Sequence, residues 1–152
     1  MSTTVIEVAA TYPVTPTTLW AELRRLERHV NWMADAETIE FVSNQREGVG
    51  TRFVCRTRVG PLRTRDVLSI TSWVEGESMG VRHEGAVTGE GVFSLEAVGE
   101  SAVRLLWREQ LSFPWWGLGP IGVAVARPAL RRIWRGNLRR LGAVLTADED
   151  SR

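Results

Sequence analysis

AVRLLWREQLSFPWWGLGPIGVAVARPALRRIWRGNLRRLGAVLT, residues 102 to 146, contains the change of period that decides the fold. Up to Phe113 the pattern alternates, with Leu105, Trp107 and Leu111 on one face and Glu109 among them. Period two marks a strand with one covered face. FPWWGLGP, residues 113 to 120, then breaks the pattern with Gly117, Gly119 and Pro120. From about Ile121 to Thr146 the period is helical. Val123, Arg127, Leu130, Trp134, Asn137, Leu138, Leu141 and Leu145 share one stripe, which predicts a buried face. Arg132, Arg135 and Arg139 fall opposite, on a solvent face.

Upstream of that pivot the strand pattern repeats. Thr38–Ser43, Thr51–Val59, Leu62–Trp73, Met79–His83, Val87–Glu96 and Ala102–Phe113 read as six strands separated by turn residues. Val5–Thr11 reads as a further strand at the start of the chain. Between it and the six lie two short helices. Thr15-Pro16 starts one, as N-cap and N1 proline, and Glu27–Trp32 makes the other. The order is strand, two helices, six strands, long helix. It predicts an α+β fold in which an antiparallel sheet curls around the terminal helix and leaves a cavity.

Composition narrows the chemistry. The chain has 152 residues, 43% hydrophobic, with a formal net charge of +1, which suits one domain over residues 1–152 and gives no bulk field for nucleic acid. All nineteen basic residues are arginine, so Schiff-base and P-loop lysine chemistry are excluded. One cysteine, Cys55, forms no intrachain disulfide and favours a cytoplasmic setting. The start of the chain lacks signal-peptide features. No apolar run is long enough for stable membrane insertion, which leaves room only for transient membrane contact. Two histidines and one cysteine without ligand spacing predict no metal, and the lack of GxGxxG before a helix predicts no dinucleotide cofactor.

PVTPTTLW, HVNWMADA, GVGTRF, HEGAVTGEGVFSL, VRLLWREQLSF and the closing NLRRL together resemble the START/Bet v 1-like superfamily (SRPBCC). The likeness is to its bacterial polyketide cyclase/dehydrase and lipid-transport branch, and it runs nearly end to end. It implies a helix-grip fold of seven strands around the last helix. It also implies a hydrophobic cavity for a lipid, polyketide, sterol-like or aromatic ligand. Some members are cyclases or aromatases, and many only bind.

Turn counting in the meander puts Gly60-Pro61, Glu84-Gly85 and FPWWGLGP at one end, the expected mouth of the cavity. Trp115 and Trp116 there read either as a gate, one ring over the mouth and one exposed, or as a cap on the core. Asp66, His83 and Glu109 stand at inward positions near that end, and Arg127 on the buried helix stripe. Three readings stay open: an Arg127–carboxylate pair that anchors the helix, a ligand-contacting patch, or acid–base catalysis. His83 is the candidate proton carrier, with Asp66 to orient it and Glu109 as a further candidate. Phe53, Phe93, Trp107, Leu130 and Trp134 supply the apolar lining, with Cys55 as a small packing residue. His29, in HVNW, reads as a surface or junction residue.

Outer-face Arg52, Arg56, Arg58, Arg63 and Arg65 form a patch suited to solubility and cross-strand pairing; without interleaved aromatics it does not suit RNA. The leading functional expectation is a binding protein or carrier for a hydrophobic small molecule, as monomer or homodimer. A polyketide cyclase, aromatase or dehydratase is the second, and an interaction module with a closed cavity and an arginine face the third.

Overall fold

Thr15 and Pro16 start the first helix as their chemistry dictates. In the computed structural model the Thr15 side chain accepts the Thr18 N–H at 3.3 Å, and Pro16 opens α1, Pro16–Leu23. The backbone is described for residues 2–113 and 119–150, and side chains for residues 3–113, 122 and 124–147. A 3-10 helix follows at Leu26–Asn31. The strands are β1 Ser2–Tyr12, β2 Ala36–Phe41, β3 Arg52–Val59, β4 Leu62–Val74, β5 Ser78–Glu84, β6 Thr88–Val98 and β7 Ala102–Phe113. The last helix, α2, runs Gly119–Asp150.

All seven strands join one antiparallel sheet in the order β1-β7-β6-β5-β4-β3-β2. The expected element order is therefore present, with boundaries moved by a few residues. β7 matches its expected range, because its alternation is unbroken: Val103, Leu105, Trp107, Glu109 and Leu111 are buried and the residues between them are not. α2 lies on the concave face and approaches β1 most closely. Trp134, Leu138, Leu141 and Leu145 are buried on the predicted stripe, while Arg132, Arg135 and Arg139 are exposed.

Two expectations fail, each for a physical reason. Arg127 is exposed, not buried. Its angle around the helix is that of Trp134, but residues 124, 125 and 127–129 are all exposed, so this part of α2 stands clear of the core. Periodicity gives the angle around an axis, not how far the sheet continues beneath it. Pro128 also sits inside the helix there, without an N–H for the backbone ladder.

His29 is a junction residue, but it is buried at 5% exposure. A 3-10 helix has three residues per turn, so Leu26, His29 and Trp32 align on one face, and all three enter the core. The His29 Nε2–H donates to the Leu23 carbonyl at 2.8 Å, which places a proton on that nitrogen. Burial lowers its pKa to about 4, against smaller upward effects of that hydrogen bond and of Glu27.

A polar clasp holds α2 to the segment before β2. Asn137, fully buried, accepts the Ala34 N–H at 3.0 Å and donates to Asp35 Oδ1 at 2.7 Å. Trp134 Nε1 donates to the other Asp35 oxygen at 3.3 Å, and Arg140 donates to the Trp32 carbonyl at 3.1 Å. Arg140 also bonds Asn137 Oδ1. A buried amide satisfied on both sides specifies one helix register.

Candidate functional site

The inward positions of β4 to β7 bring Asp66, His83 and Glu109 together, as their spacing predicts. Glu109 on β7 and His83 on β5 are separated by the whole of β6. They meet because the inward residues of β6 between them are Gly89 and Gly91. Gly91 pairs with Glu109 and Gly89 with His83 in the sheet register. A Cβ at Gly91 would stand 2.2 Å from Glu109 Oε2, so the carboxylate lies flat across the bare backbone. Gly89 has φ +141°, and a Cβ there would meet the Gln110 carbonyl at 2.0 Å.

The resulting contacts satisfy both carboxylate oxygens of Glu109. Oε2 stands 3.0 Å from His83 Nε2, and Oε1 accepts the Trp107 indole N–H at 2.9 Å. Asp66 is also buried; its Oδ2 accepts from the Thr64 hydroxyl at 3.0 Å. Its Oδ1 lies against Gly85, where a Cβ would come within 2.0 Å, and it has no hydrogen-bond partner among the described residues.

Burial alone would lower the His83 pKa. The hydrogen bond to Glu109, the charge of Glu109 and the charge of Asp66 outweigh it, and the pKa rises above the ordinary histidine value. His83 is also the open member of the cluster, with 19% of its side chain exposed against 7% for Glu109. Its Nε2 faces Glu109, which leaves Nδ1 as the ring nitrogen not engaged by that carboxylate. The site is an imidazole whose protonated form is favoured by the buried acids behind it.

Aromatic rings surround it on one side. Phe93 and Trp107 meet edge to face at 5.3 Å, and Trp107 stacks on Trp134 at 4.6 Å. At those spacings the rings touch, so the interior is filled there rather than open. Other inward side chains, Cys55, Leu68, Val81, Leu130 and Ile133, are only partly buried, so the concave face is less completely covered around them. Phe53 joins the same core with Phe41 as ring partner at 6.2 Å. Burial raises the Cys55 thiol pKa, which does not suit a nucleophile. Arg127 is exposed and makes no ion pair to Glu109 or Asp66. Trp115 and Trp116 lie outside the described residues.

No family model matches the chain, and no curated protein matches it. Solved structures do match. One is TTHA0849 from Thermus thermophilus, with a TM-score of 0.77 and 17% identity over 95% of this chain and 99% of that one. Another is the Zhui aromatase/cyclase from Streptomyces sp. R1128, with a TM-score of 0.72 and 16% identity over 97% and 94%. A START superfamily protein from Mycobacterium smegmatis has a TM-score of 0.78 at 8% identity over 94% and 97%. The chain has the START/Bet v 1-like helix-grip fold. At these identities the likeness is one of architecture, and function rests on the site.

Within the helix-grip sheet, sequence reasoning found the three charged residues but not what lets them meet. The signal was present: in TGEGVF the two glycines occupy alternate, inward positions where the strand period calls for side chains. Trp32, fully buried with an indole N–H that has no hydrogen-bond partner among the described residues, and the Asp35–Asn137 clasp also went unread. The two residues of the clasp lie 102 positions apart, beyond any local pattern.

Proposed function

We propose that the protein binds a hydrophobic small molecule between sheet and α2, as a cytoplasmic carrier of a lipid, polyketide or aromatic compound bearing an acceptor oxygen. The observation that carries this is His83: a partly open imidazole among the apolar side chains of the concave face, hydrogen-bonded to the buried Glu109 behind it. Apolar walls supply affinity, and a single fixed donor supplies orientation. A carbonyl, phenolate or carboxylate oxygen meets Nδ1–H of His83. The architectural likeness to START superfamily proteins and to an aromatase/cyclase supports the same reading.

Native mass spectrometry of the purified protein tests it directly, through any co-purified small molecule. Titration with 2-naphthoate and with 2-methylnaphthalene gives the second arm. The oxygen-bearing compound binds more tightly, and His83→Gln removes that preference, by about tenfold for a charged hydrogen bond of about 1.5 kcal/mol. Equal affinities in the unsubstituted protein overturn the assignment of His83 as the orienting donor.

A second reading is catalytic: the His83 imidazolium protonates a carbonyl oxygen of a bound polyketide. The raised pKa and the aromatase/cyclase likeness favour it. Turnover of a linear polyketide thioester that is lost in His83→Gln separates this reading from carriage.

A further inference from the structure

A groove of about 930 Å³ runs along the outside of the molecule between β1 and α2. Arg131, Arg132, Arg135 and Arg139 form one wall, and Ala9 to Tyr12 form the other. It shares no residue with the His83 cluster. Tyr12 clamps helix to strand: its hydroxyl donates to the Leu138 carbonyl at 2.7 Å, and its ring lies close against Gly142.

Three observations say what would fill the groove. First, the four arginines are exposed and make no ion pair among the described residues, whereas Arg52, Arg82 and Arg108 on the sheet pair with Glu84, Glu90 and Glu7. From residue 119 to residue 147 the sequence contains no acid. Second, β1 ends the sheet and is bonded to β7 alone, so alternate N–H and C=O groups on its free edge lack a ladder partner. Third, the spacings agree. Arg131, Arg135 and Arg139 succeed each other every four residues, about 6 Å along a helix. Alternate residues of an extended chain are about 6.7 Å apart. Flexible guanidinium arms absorb the difference over three positions.

We propose that this groove docks an extended acidic segment of a partner protein, added along the free edge of β1, with carboxylates at every second residue facing Arg131, Arg135 and Arg139. Backbone pairing supplies the register, and bidentate guanidinium–carboxylate contacts supply selectivity for that spacing. No exposed aromatic lines the groove to stack bases. Its concave shape, walled by arginines, does not offer a bilayer an apolar face.

Fluorescence anisotropy with two labelled octapeptides of identical composition tests the proposal. One has glutamate and threonine in alternation; the other has four glutamates in a block. The alternating peptide binds at least tenfold more tightly, and its affinity falls with salt. Arg131→Glu with Arg135→Glu weakens it at least tenfold, with the fold verified by circular dichroism. Arg56→Glu with Arg65→Glu, on the sheet, changes it less than twofold. Amide shifts on binding include Ala9 to Tyr12. Equal affinity for the two peptides, no binding of either, equal loss in the sheet variant, or no shifts along β1 overturns the proposal. So does tighter binding of oligothymidylate or phosphatidylserine vesicles through the same arginines.

Discussion

His83 and Glu109 are 3.0 Å apart although β6 runs between their strands, and the contact exists because β6 is bare at Gly89 and Gly91. Gly91→Ala therefore acts on the site without replacing a charged residue. The added methyl would overlap the Glu109 carboxylate, at 2.2 to 2.4 Å from its three atoms. The carboxylate must move and the ion pair opens. We expect a loss of about 1–3 kcal/mol in urea unfolding, the cost of an unsatisfied buried polar group. A fall of the His83 pKa in an NMR titration is the accompanying sign; an unchanged pKa refutes the bridging role of the glycine.

The acids behind His83 are expected to act through charge. Glu109→Gln and Asp66→Asn each lower the His83 pKa, and Glu109→Gln has the larger effect because it removes the hydrogen-bonded partner as well as a charge. Titration of the imidazole ring protons reads both. A larger fall in Asp66→Asn would reverse the assignment of roles.

The two histidines give opposite pH dependences. His29 titrates at about 4 in the folded chain and near 6.5 when unfolded, so the unfolded state holds more protons between those values. Stability falls as pH drops from about 6.5 to 4, by about 3 kcal/mol from this residue. His83, with its raised pKa, contributes stability that is complete below the unfolded value and is lost as pH rises through the folded one. Urea midpoints measured from pH 8 to pH 4 are expected to lose the rise seen as pH falls toward about 6.5 in His83→Gln, and to flatten below about 6.5 in His29→Gln.

On α2 the packing separates two residues that share an angle. Arg127→Leu is expected to change stability by less than about 0.5 kcal/mol, as for an exposed site. Trp134→Ala is expected to cost about 3–5 kcal/mol, because the ring stacks on Trp107 and bonds Asp35. Thermal and chemical denaturation measure both, and a comparable loss in the two would restore Arg127 to the core.

Asn137→Leu keeps the side chain's bulk but removes the clasp. Ala34 N–H and Asp35 Oδ1 then lose their partner, while Trp134 still donates to Asp35 Oδ2. A loss of about 1–3 kcal/mol is expected, with faster amide exchange at Ala34. Unaltered exchange there would show that the segment before β2 is held by other contacts.

The sequence by itself determined the element order, the inward face of every strand carrying a site residue and the buried stripe from Trp134 to Leu145. Those features are local: side-chain direction repeats every two residues in a strand and every 3.6 in a helix, whatever lies opposite. It also placed Asp66, His83 and Glu109 on one face, because register in a meander follows from turn positions. Tertiary structure alone decided which of these residues touch. Glu109 reaches His83 rather than Arg127 because two glycines clear the path across β6, while α2 at Arg127 stands clear of the core. The burial of His29 rests on a 3-10 helix of period three, shorter than the helical period by which HVNW was read. The groove between β1 and α2 exists only where strand edge and arginine stripe are brought side by side, more than a hundred residues apart along the chain.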